Sequence, residues 1–365
     1  MFLKSLSLLS IRNYSRLDVE LGPGMNLFHG GNAQGKTNLL EAVSFLASLR
    51  SFRGVKAPAL LAWGAAEGMV RGEVVREQAH SSSSRRLTVG ISKEGRRVTL
   101  DGKKPGSVRE YLLSLKVVSF SPEDLFLVRE YPAHRRRFLD RSVFHAHPSY
   151  IDVVGRCAAS VKQLNAALRA GDDKVMESWE ELLVPLAAEV TLRRRERVAG
   201  LGPRAAALYD STLGSGELGL TYRSQARGEG KDELESSYRE LFRKKRAEGI
   251  RRGSCQAGPQ FDDLGITLSG RDMRLTASRG QGRLALLALV LADAEVYRDE
   301  QGEYPVLLLD DVASELDVRR RDALMDYVSG MGQALLTSTD ETLVSGRDCR
   351  LFLVEDTGDG AAIKL

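Results

Sequence analysis

Cysteine is scarce in this 365-residue chain. Cys157, Cys255 and Cys349 lie far apart, and none has a second cysteine at CxxC spacing, which argues against a disulfide framework or a zinc site. No apolar run approaches the roughly 18 residues that a membrane helix needs. The apolar N-terminal stretch is short, alternates like a strand and lacks a small-residue cleavage site. We therefore expect a cytoplasmic protein with reduced thiols and no membrane partner.

A strong excess of charge is also absent. Lysine and arginine total 53 against 49 acidic residues, so the formal net charge is only +4. This balance permits a polyanionic partner without requiring one. The hydrophobic share of 42% is ordinary for a globular protein, and the length suits one large domain with an insertion or two to three smaller domains.

Hydrophobic periodicity divides the chain into three segments. Residues 1–121 alternate like strands and contain one amphipathic helix, "KTNLLEAVSFLASLR". Residues 122–253 show mostly helical spacing, whereas strand signals return in residues 254–365, among them "DMRLTA" at 272–277. The serine-rich residues 79–84 predict a soft linker. The order predicts an α/β chain that is interrupted by a helical arm.

A glycine-rich loop in the first segment carries the strongest chemical signal. Residues 30–37, "GGNAQGKT", match G-x-x-x-x-G-K-[ST] between a predicted strand and a predicted helix. Backbone N–H groups of such a loop surround phosphates, Lys36 places a charge on the β/γ oxygens, and Thr37 offers a hydroxyl to Mg²⁺. The predicted ATP-binding residues are Gly30, Gly31, Asn32, Ala33, Gln34, Gly35, Lys36, Thr37 and Asn38.

Two acids close a short apolar strand near the C-terminus. The run "VLLLDD" at residues 306–311 predicts a buried strand whose carboxyl end points to a ligand-binding edge. Asp310 is placed to hold Mg²⁺, usually through water, and Asp311 to orient or deprotonate an attacking water. Many strands end in aspartate for structural reasons alone, so this signal depends on its pairing with the loop at Gly30.

The stretch "TASRGQGRLALLALVLADAE" places a polar turn directly before a long apolar helix. The apolar composition of the helix predicts that it is buried, whereas the free backbone N–H groups at its N-terminus are suited to bind an anion. The turn "SRGQ" (residues 278–281) resembles the LSGGQ signature of ABC-type ATPases, with Arg279 replacing the first glycine, and "SELD" (314–317) resembles their D-loop. This resemblance implies that Ser278, Gly280 and Gln281 meet the γ-phosphate of ATP bound to a second copy of the chain. The alternative is an ordinary capped core helix.

The spacing of these motifs separates the subclasses of ABC-type ATPase. About 240 residues lie between Lys36 and Ser278, more than a transporter subunit uses and far fewer than a long Rad50-like coiled coil needs. Over nearly its whole length the chain resembles the RecF family of bacterial recombination mediators. The matching blocks are "IRNYSRLDVELGPGMNLFHGGNAQGKTNLLEAVSFLASLRSFRG", "FSPEDL", "RRRFLD", "GPQFDDL", "ASRGQGRLALLALVLAD" and "LLLDDVASELD".

The resemblance implies an α/β fold, an ABC-type P-loop ATPase head similar to Rad50 and SMC heads, with an inserted helical arm domain. Residues 1–121 would form the first part of the head with the P-loop (Walker A), 122–253 the arm, and 254–365 the second part with signature, Walker B acids and D-loop. It also implies an ATP-driven homodimer on single-stranded and duplex DNA at gap junctions. Weak, DNA-dependent ATP hydrolysis would release it. The implied partners are RecR with RecO, and the implied roles are RecA loading, replication restart and the SOS response to DNA damage.

Several positions depart from the usual motifs. Gln260 and Phe261 replace the His-Arg pair of GPHRDDL, and Glu123 is the candidate for a missing loop glutamine. Asp311 stands where most ABC enzymes have glutamate, and the shorter carboxylate favours slow turnover. The usual switch histidine is absent and leaves three candidates: Thr337, Ser338 and Thr339.

Basic runs are candidate DNA contacts, although each alone is more typical of a solvated helix face than of a DNA contact. The runs are Arg85–Arg86, Arg96–Arg97, Arg135–Arg137, Arg193–Arg195, Arg243–Arg246 and Arg251–Arg252. His145 and His147 form an isolated HxH pair, for which we expect no metal. The alternative functions are a transporter-type ATPase subunit and a truncated Rad50-like protein. The latter is disfavoured because no CxxC hook is present.

Overall fold

The computed structural model describes residues 1–78, 81–314, 316–357 and 360–364, with the backbone only of Gln78 and Glu123. These residues form two compact units, each with its own core. The first unit comprises Met1–Leu125, Ser211–Gly214 and Leu286–Leu365, and the second comprises Phe126–Asp210 and Ser215–Ala285. Among the described residues, no helix is both long and apolar enough to span a membrane.

The secondary structure alternates between strands and helices in the first unit and is mainly helical in the second. The strands are β1 (Phe2–Ile11), β2 (Tyr14–Glu20), β3 (Met25–His29), β4 (Glu67–Gln78), β5 (Ser81–Ser92), β6 (Gly95–Leu100), β7 (Val117–Phe120), β8 (Leu218–Arg223), β9 (Asp263–Leu268), β10 (Arg271–Asp272), β11 (Val306–Leu309), β12 (Ala334–Ser338), β13 (Cys349–Asp356) and β14 (Ala361–Lys364). The helices are α1 (Lys36–Ser48), α2 (Val108–Leu112), α3 (Phe126–Arg129), α4 (Pro132–Ala146), α5 (Tyr150–Ala170), α6 (Asp173–Leu208), α7 (Lys231–Arg252), α8 (Met273–Thr276), α9 (Arg279–Gln301) and α10 (Val318–Ser329). Short 3-10 helices cover Ala57–Leu60, Pro122–Leu125, Pro259–Phe261 and Glu341–Val344.

Two sheets form the first unit. One has the order β2-β1-β4-β5-β6 and is antiparallel. The other has the order β14-β13-β3-β12-β11-β7 and is parallel apart from β14. All four residues of β11 are buried, as an apolar run in the middle of a parallel sheet should be. Because β3, β12 and β11 are parallel neighbours, their carboxyl ends lie at one edge of this sheet.

Local patterns predicted most elements of the first unit. The alternation in β1 and the helical spacing in α1 are confirmed. The predicted linker at residues 79–84 is wrong for Ser81–Ser84, which begin β5 and pair with β4; Ala79 and His80 lie outside the described residues. Serine composition alone suggests a linker, but the neighbouring strand satisfies the backbone and keeps these residues extended.

The second unit packs α5, α6 and α7 against one another and adds the small sheet β10-β9-β8. Its core contains Leu164, Leu183 and Tyr238, all buried. The strand predicted at 272–277 is wrong beyond Asp272, because the Asp272 carboxylate accepts from Arg274 N–H and caps the short helix α8.

Domain limits from the sequence and from the compact units agree at one end only. The second unit begins at residue 126, four residues after the predicted start of the arm. It also contains residues 254–285, which the family resemblance assigned to the head. We retain the three-segment division as a proposal about domain organisation.

Buried ion pairs hold the second unit together. The Arg135 guanidinium is 1% exposed and donates to both carboxylate oxygens of Asp263, at 2.6 and 2.9 Å. Arg194 binds Asp140 in the same bidentate manner, at 2.8 and 3.0 Å, and Tyr150 also donates to Asp140. Such pairs fix one arrangement of the helices because each charge is costly without its partner.

Asp263→Ala is expected to destabilise the second unit by about 3–5 kcal/mol, since it leaves the Arg135 charge buried without its carboxylate. Chemical denaturation followed by circular dichroism measures this loss. Glu248→Ala, which removes exposed ion pairs with Lys245 and Arg252, is the matched control and should barely move the midpoint. Equal effects of the two substitutions would contradict the role given to the buried pair.

Candidate functional site

The carboxyl ends of β3, β11 and β12 open into a cavity of about 290 Å³ in the first unit. This edge of a parallel sheet is where open α/β folds bind ligands. The cavity is lined by Asn32, Ala33, Gln34, Gly35, Lys36, Thr37, Asn38, Arg53, Pro122, Asp310, Asp311, Thr337 and Thr339. The structure therefore brings the predicted loop and the two predicted acids together, although 273 residues separate Thr37 from Asp310.

The glycine-rich loop is held in shape by β1 and β2. The Asn13 side chain donates to the Gln34 carbonyl (3.1 Å), and the Tyr14 hydroxyl donates to the Gly35 carbonyl (3.1 Å). Gly35 has φ +113°, and a Cβ there would lie 2.7 Å from Asn13 Nδ2. Only glycine fits this position, so Gly35 lets the loop turn tightly into the N-terminus of α1.

The Lys36 ammonium lies against the first residues of the glycine-rich loop. Its Nζ donates to the carbonyls of Gly30 (2.7 Å) and Gly31 (2.5 Å). Partial burial lowers the pKa of Lys36, while the charges of Asp311 and Asp310 oppose that shift. The side chain thus offers a partly desolvated cation to an anion in the cavity.

Two threonines position the acids. The Asp310 carboxylate accepts from Thr37 Oγ1 (2.8 Å) and from Thr337 Oγ1 (2.7 Å), and Thr337 Oγ1 in turn accepts from the Asp311 N–H (2.8 Å). Asp311 itself has φ +50°, a conformation uncommon for a residue other than glycine. A hydroxyl and a carboxylate oxygen side by side are the hard donors that Mg²⁺ prefers, so this pair fits that ion.

Sequence patterns missed a polar network behind the loop. Arg53 lines the cavity and donates to the Asn38 side chain (2.9 Å) and to Glu41 (3.3 Å). Glu41 is fully buried in α1, where Arg12 binds it at 2.9 and 3.0 Å and Ser51 at 2.5 Å. A lone acid among the apolar residues of "NLLEAVSF" was the one available signal, because a buried charge requires partners.

The signature turn, residues 278–281, belongs to the second unit. Ser278 N–H donates to Gln281 Oε1 (2.9 Å), and Gln281 N–H donates to Ser278 Oγ (3.1 Å), which is a reciprocal capping box at the start of α9. Arg129 donates to the carbonyl of Ala277 just before the turn (3.0 Å). Ser278 is exposed, and its hydroxyl proton is not used by the cap. Gln281 therefore shapes the turn, and Ser278 retains a donor.

The positions that depart from the family motifs differ in burial and in their contacts. Thr339 lines the cavity with Thr337, whereas Ser338 is buried and accepts from the Asp340 N–H. Phe261 is partly exposed, and Gln260 donates to the Ala257 carbonyl. The Glu123 side chain and residue Glu315 of the D-loop stretch lie outside the described residues.

Several predicted DNA-contact arginines are buried. Arg135 and Arg194 form the internal pairs with Asp263 and Asp140, so both are wrong as DNA contacts. Arg246 is paired with Glu177 and Glu180. Consecutive residues of a helix point in different directions, so some arginines of each run face the core. The exposed members stay candidates; they are Arg85, Arg86, Arg96, Arg97, Arg137, Arg243, Lys244, Arg251 and Arg252.

The two isolated histidines lie at the end of α4. His145 is buried and His147 ends α4. Over the described ranges, no group of three or more His, Cys, Asp or Glu side chains is arranged to hold a metal ion.

Comparison with known proteins agrees with this geometry. The family model described as "RecF/RecN/SMC N terminal domain" matches residues 2–357. The "DNA replication and repair protein RecF" of Anaeromyxobacter dehalogenans is 37% identical over 369 residues, covering 97% of each chain. A solved structure of "the recombination mediator protein RecF-ATP in RecFOR pathway" is 29% identical with a TM-score of 0.88, covering 100% of this chain and 98% of that one. An SMC head from Pyrococcus yayanosii, 12% identical with a TM-score of 0.62 over 100% and 96% of the chains, shares the fold alone. The predicted ABC-type head is confirmed.

Proposed function

The chain belongs to the RecF family, and we propose that it is an ATP-dependent DNA-binding protein of recombinational repair in the cytoplasm. ATP would close a homodimer on DNA, and slow, DNA-dependent hydrolysis would open it. The dimer would help to load RecA at single-strand gaps, with RecR and RecO as partners. The RecF-ATP structure and the many RecF relatives support this proposal.

The observation that carries the proposal is the exposed, capped signature turn. The Ser278 hydroxyl oxygen caps α9 by accepting from the Gln281 N–H, and its own proton stays available to a ligand at this exposed N-terminus. The turn presents that hydroxyl at the N-terminus of α9, where the helix dipole favours an anion. A γ-phosphate bound to a second copy has the charge and geometry that these donors require.

Residues of the first unit would hold the nucleotide. The N–H groups of the loop from Gly30 to Gly35 would surround the phosphates, and Lys36 would exchange its loop carbonyls for phosphate oxygens. Thr37 and Asp310 would hold Mg²⁺, which neutralises phosphate charge when bound. Asp311, beside Asp310 and fixed through Thr337, would orient the attacking water.

Sedimentation velocity tests the proposed switch. The purified protein is compared without nucleotide, with Mg-ADP and with Mg-ATP, and labelled DNA is then added to each state. We expect a monomer that becomes a dimer only with ATP and binds DNA in that state. The same oligomeric state without nucleotide, with Mg-ADP and with Mg-ATP would refute the proposed switch.

Asp311→Asn is expected to slow ATP hydrolysis by about 100- to 10,000-fold, because an amide cannot accept the proton of the attacking water. ATP binding should survive, so the variant should accumulate as an ATP-bound dimer in sedimentation. Asp322→Asn, an exposed acid on α10, serves as the control. Rapid turnover in Asp311→Asn would remove Asp311 from the catalytic role.

The transporter-type alternative is not favoured. Relatives that match almost the whole chain are RecF proteins. ATP hydrolysis stimulated by DNA would agree with the proposal.

A further inference from the structure

The segment between α1 and β4 displays a tryptophan to solvent. Trp63 is fully exposed, although its turn is well fixed. The Ala62 N–H donates to the Ser10 carbonyl (2.9 Å), the Ala65 N–H donates to the Ala62 carbonyl (3.0 Å), and Gly64 takes φ +80° inside the turn. A large apolar ring held outward on a fixed turn is ready to contact a partner.

Exposed cations surround the start of the same segment. Arg96 donates to the Leu49 carbonyl, which ties the β5–β6 hairpin to the end of α1. Partial burial lowers the pKa of Arg96, and the nearby charge of Arg50 lowers it further. The 3-10 helix Ala57–Leu60 contacts β5 and β6, and two residues separate its end from Trp63. The exposed cations, named here the cation cluster, are Arg50, Lys56, Lys93, Arg96 and Arg97.

Few acids oppose this charge. Within the part of the chain that the structure describes, no carboxylate forms an ion pair with a member of the cation cluster. The Glu94 carboxylate, next to Lys93 in the chain, accepts from Ser92 Oγ (2.7 Å), and the backbone of Glu67 pairs with that of Ser92 across the β4–β5 ladder. Glu41 is engaged by Arg12, Arg53 and Ser51. The five cations of the cluster outnumber the Glu67 and Glu94 carboxylates, so the cluster attracts a polyanion.

We propose that Trp63 and the cation cluster bind DNA where bases are unpaired, with the indole stacked on an exposed base and the cations on the flanking phosphates. The inference rests on the proposed function and names the kind of DNA that it recognises. An aromatic face beside cations is the arrangement that binds single strands, since every base has a face for stacking and every nucleotide a phosphate. Fully paired duplex offers the phosphates but no free base face.

Tryptophan fluorescence tests the stacking directly. The chain has two tryptophans, so Trp179→Phe leaves Trp63 as the only indole. In Mg-ATP, a gapped DNA should quench the emission of Trp63, whereas a covalently closed circular duplex, which has no ends and no unpaired bases, should bind without quenching it. Anisotropy of a label on the DNA reports binding independently. Bound gapped DNA with unchanged emission would overturn the inference.

Affinities of variants give a second test. Trp63→Ala should bind gapped DNA about 10-fold more weakly and closed duplex unchanged, whereas Trp63→Phe should retain most of the preference. The control Lys56→Ala should weaken both DNAs alike and reduce the slope of affinity against salt by about one. Equal effects of Trp63→Ala on both DNAs would overturn the inference.

The same variants separate this inference from the proposed function. If Trp63→Ala still dimerises with ATP and binds both DNAs normally, only the inference fails. If the parent protein binds no DNA in any nucleotide state, both fail. A change in Trp63 emission on dimerisation without DNA, and none on adding DNA, would identify a contact between two copies and would also overturn the inference.

Discussion

Lys36→Met should lower ATP hydrolysis by about 100-fold or more and weaken ATP binding. Lys36 Nζ is the cation at the mouth of the loop, 2.7 Å from the Gly30 carbonyl. Methionine fills a similar volume but offers neither charge nor donors to the phosphates. Because the charges of Asp311 and Asp310 also interact with the ammonium, the substitution removes one cation that favours these acids. Fluorescent-nucleotide binding and phosphate release measure the two losses.

A matched control separates this effect from a general loss of positive charge. Lys104→Met removes one exposed lysine from the same unit and should leave both measurements unchanged. Thermal unfolding should also be similar in the two variants, since Lys36 forms no ion pair among the described residues. Normal hydrolysis by Lys36→Met would refute the assignment of the cavity as the nucleotide site.

Features determined by neighbours in the chain could be predicted from the sequence. The loop at Gly30 is such a case, because strand, glycines, lysine and helix are consecutive. Asp310 and Asp311 were predicted in the same way from the apolar run of β11. Parallel pairing of β3, β12 and β11 then brings the two motifs to one edge.

Features that depend on distant partners could not be predicted. Arg135 follows the helical spacing of a solvated basic run, yet it is buried because Asp263, 128 residues away, pairs with it. Arg53 reaches the cavity only through the fold of the segment after α1, and no spacing rule indicates its contact with Asn38. Serines 81–84 form a strand because β4 supplies the hydrogen bonds. In each case a tertiary partner overrides the local pattern.

Ser278→Arg should abolish ATP-driven dimerisation while each monomer still binds ATP. The exposed turn has room for a phosphate oxygen at the Ser278 hydroxyl, and an arginine side chain would occupy that space. Among the described residues that line the cavity of the first unit, none belongs to the turn, so ATP binding by the monomer should persist. Sedimentation velocity in Mg-ATP measures the dimer, and fluorescent-nucleotide binding measures the monomer.

Two companion variants identify the cause of that loss. Ser278→Ala removes the hydroxyl and the cap at Gln281 N–H without adding bulk, so it should weaken the dimer without abolishing it. Ser236→Arg adds the same cation to the exposed face of α7 and should dimerise normally. If Ser278→Arg dimerises as well as Ser236→Arg, the turn does not meet the second copy's phosphate. Loss of dimer in all three variants would instead indicate that charge or stability, rather than the space beside Ser278, controls pairing.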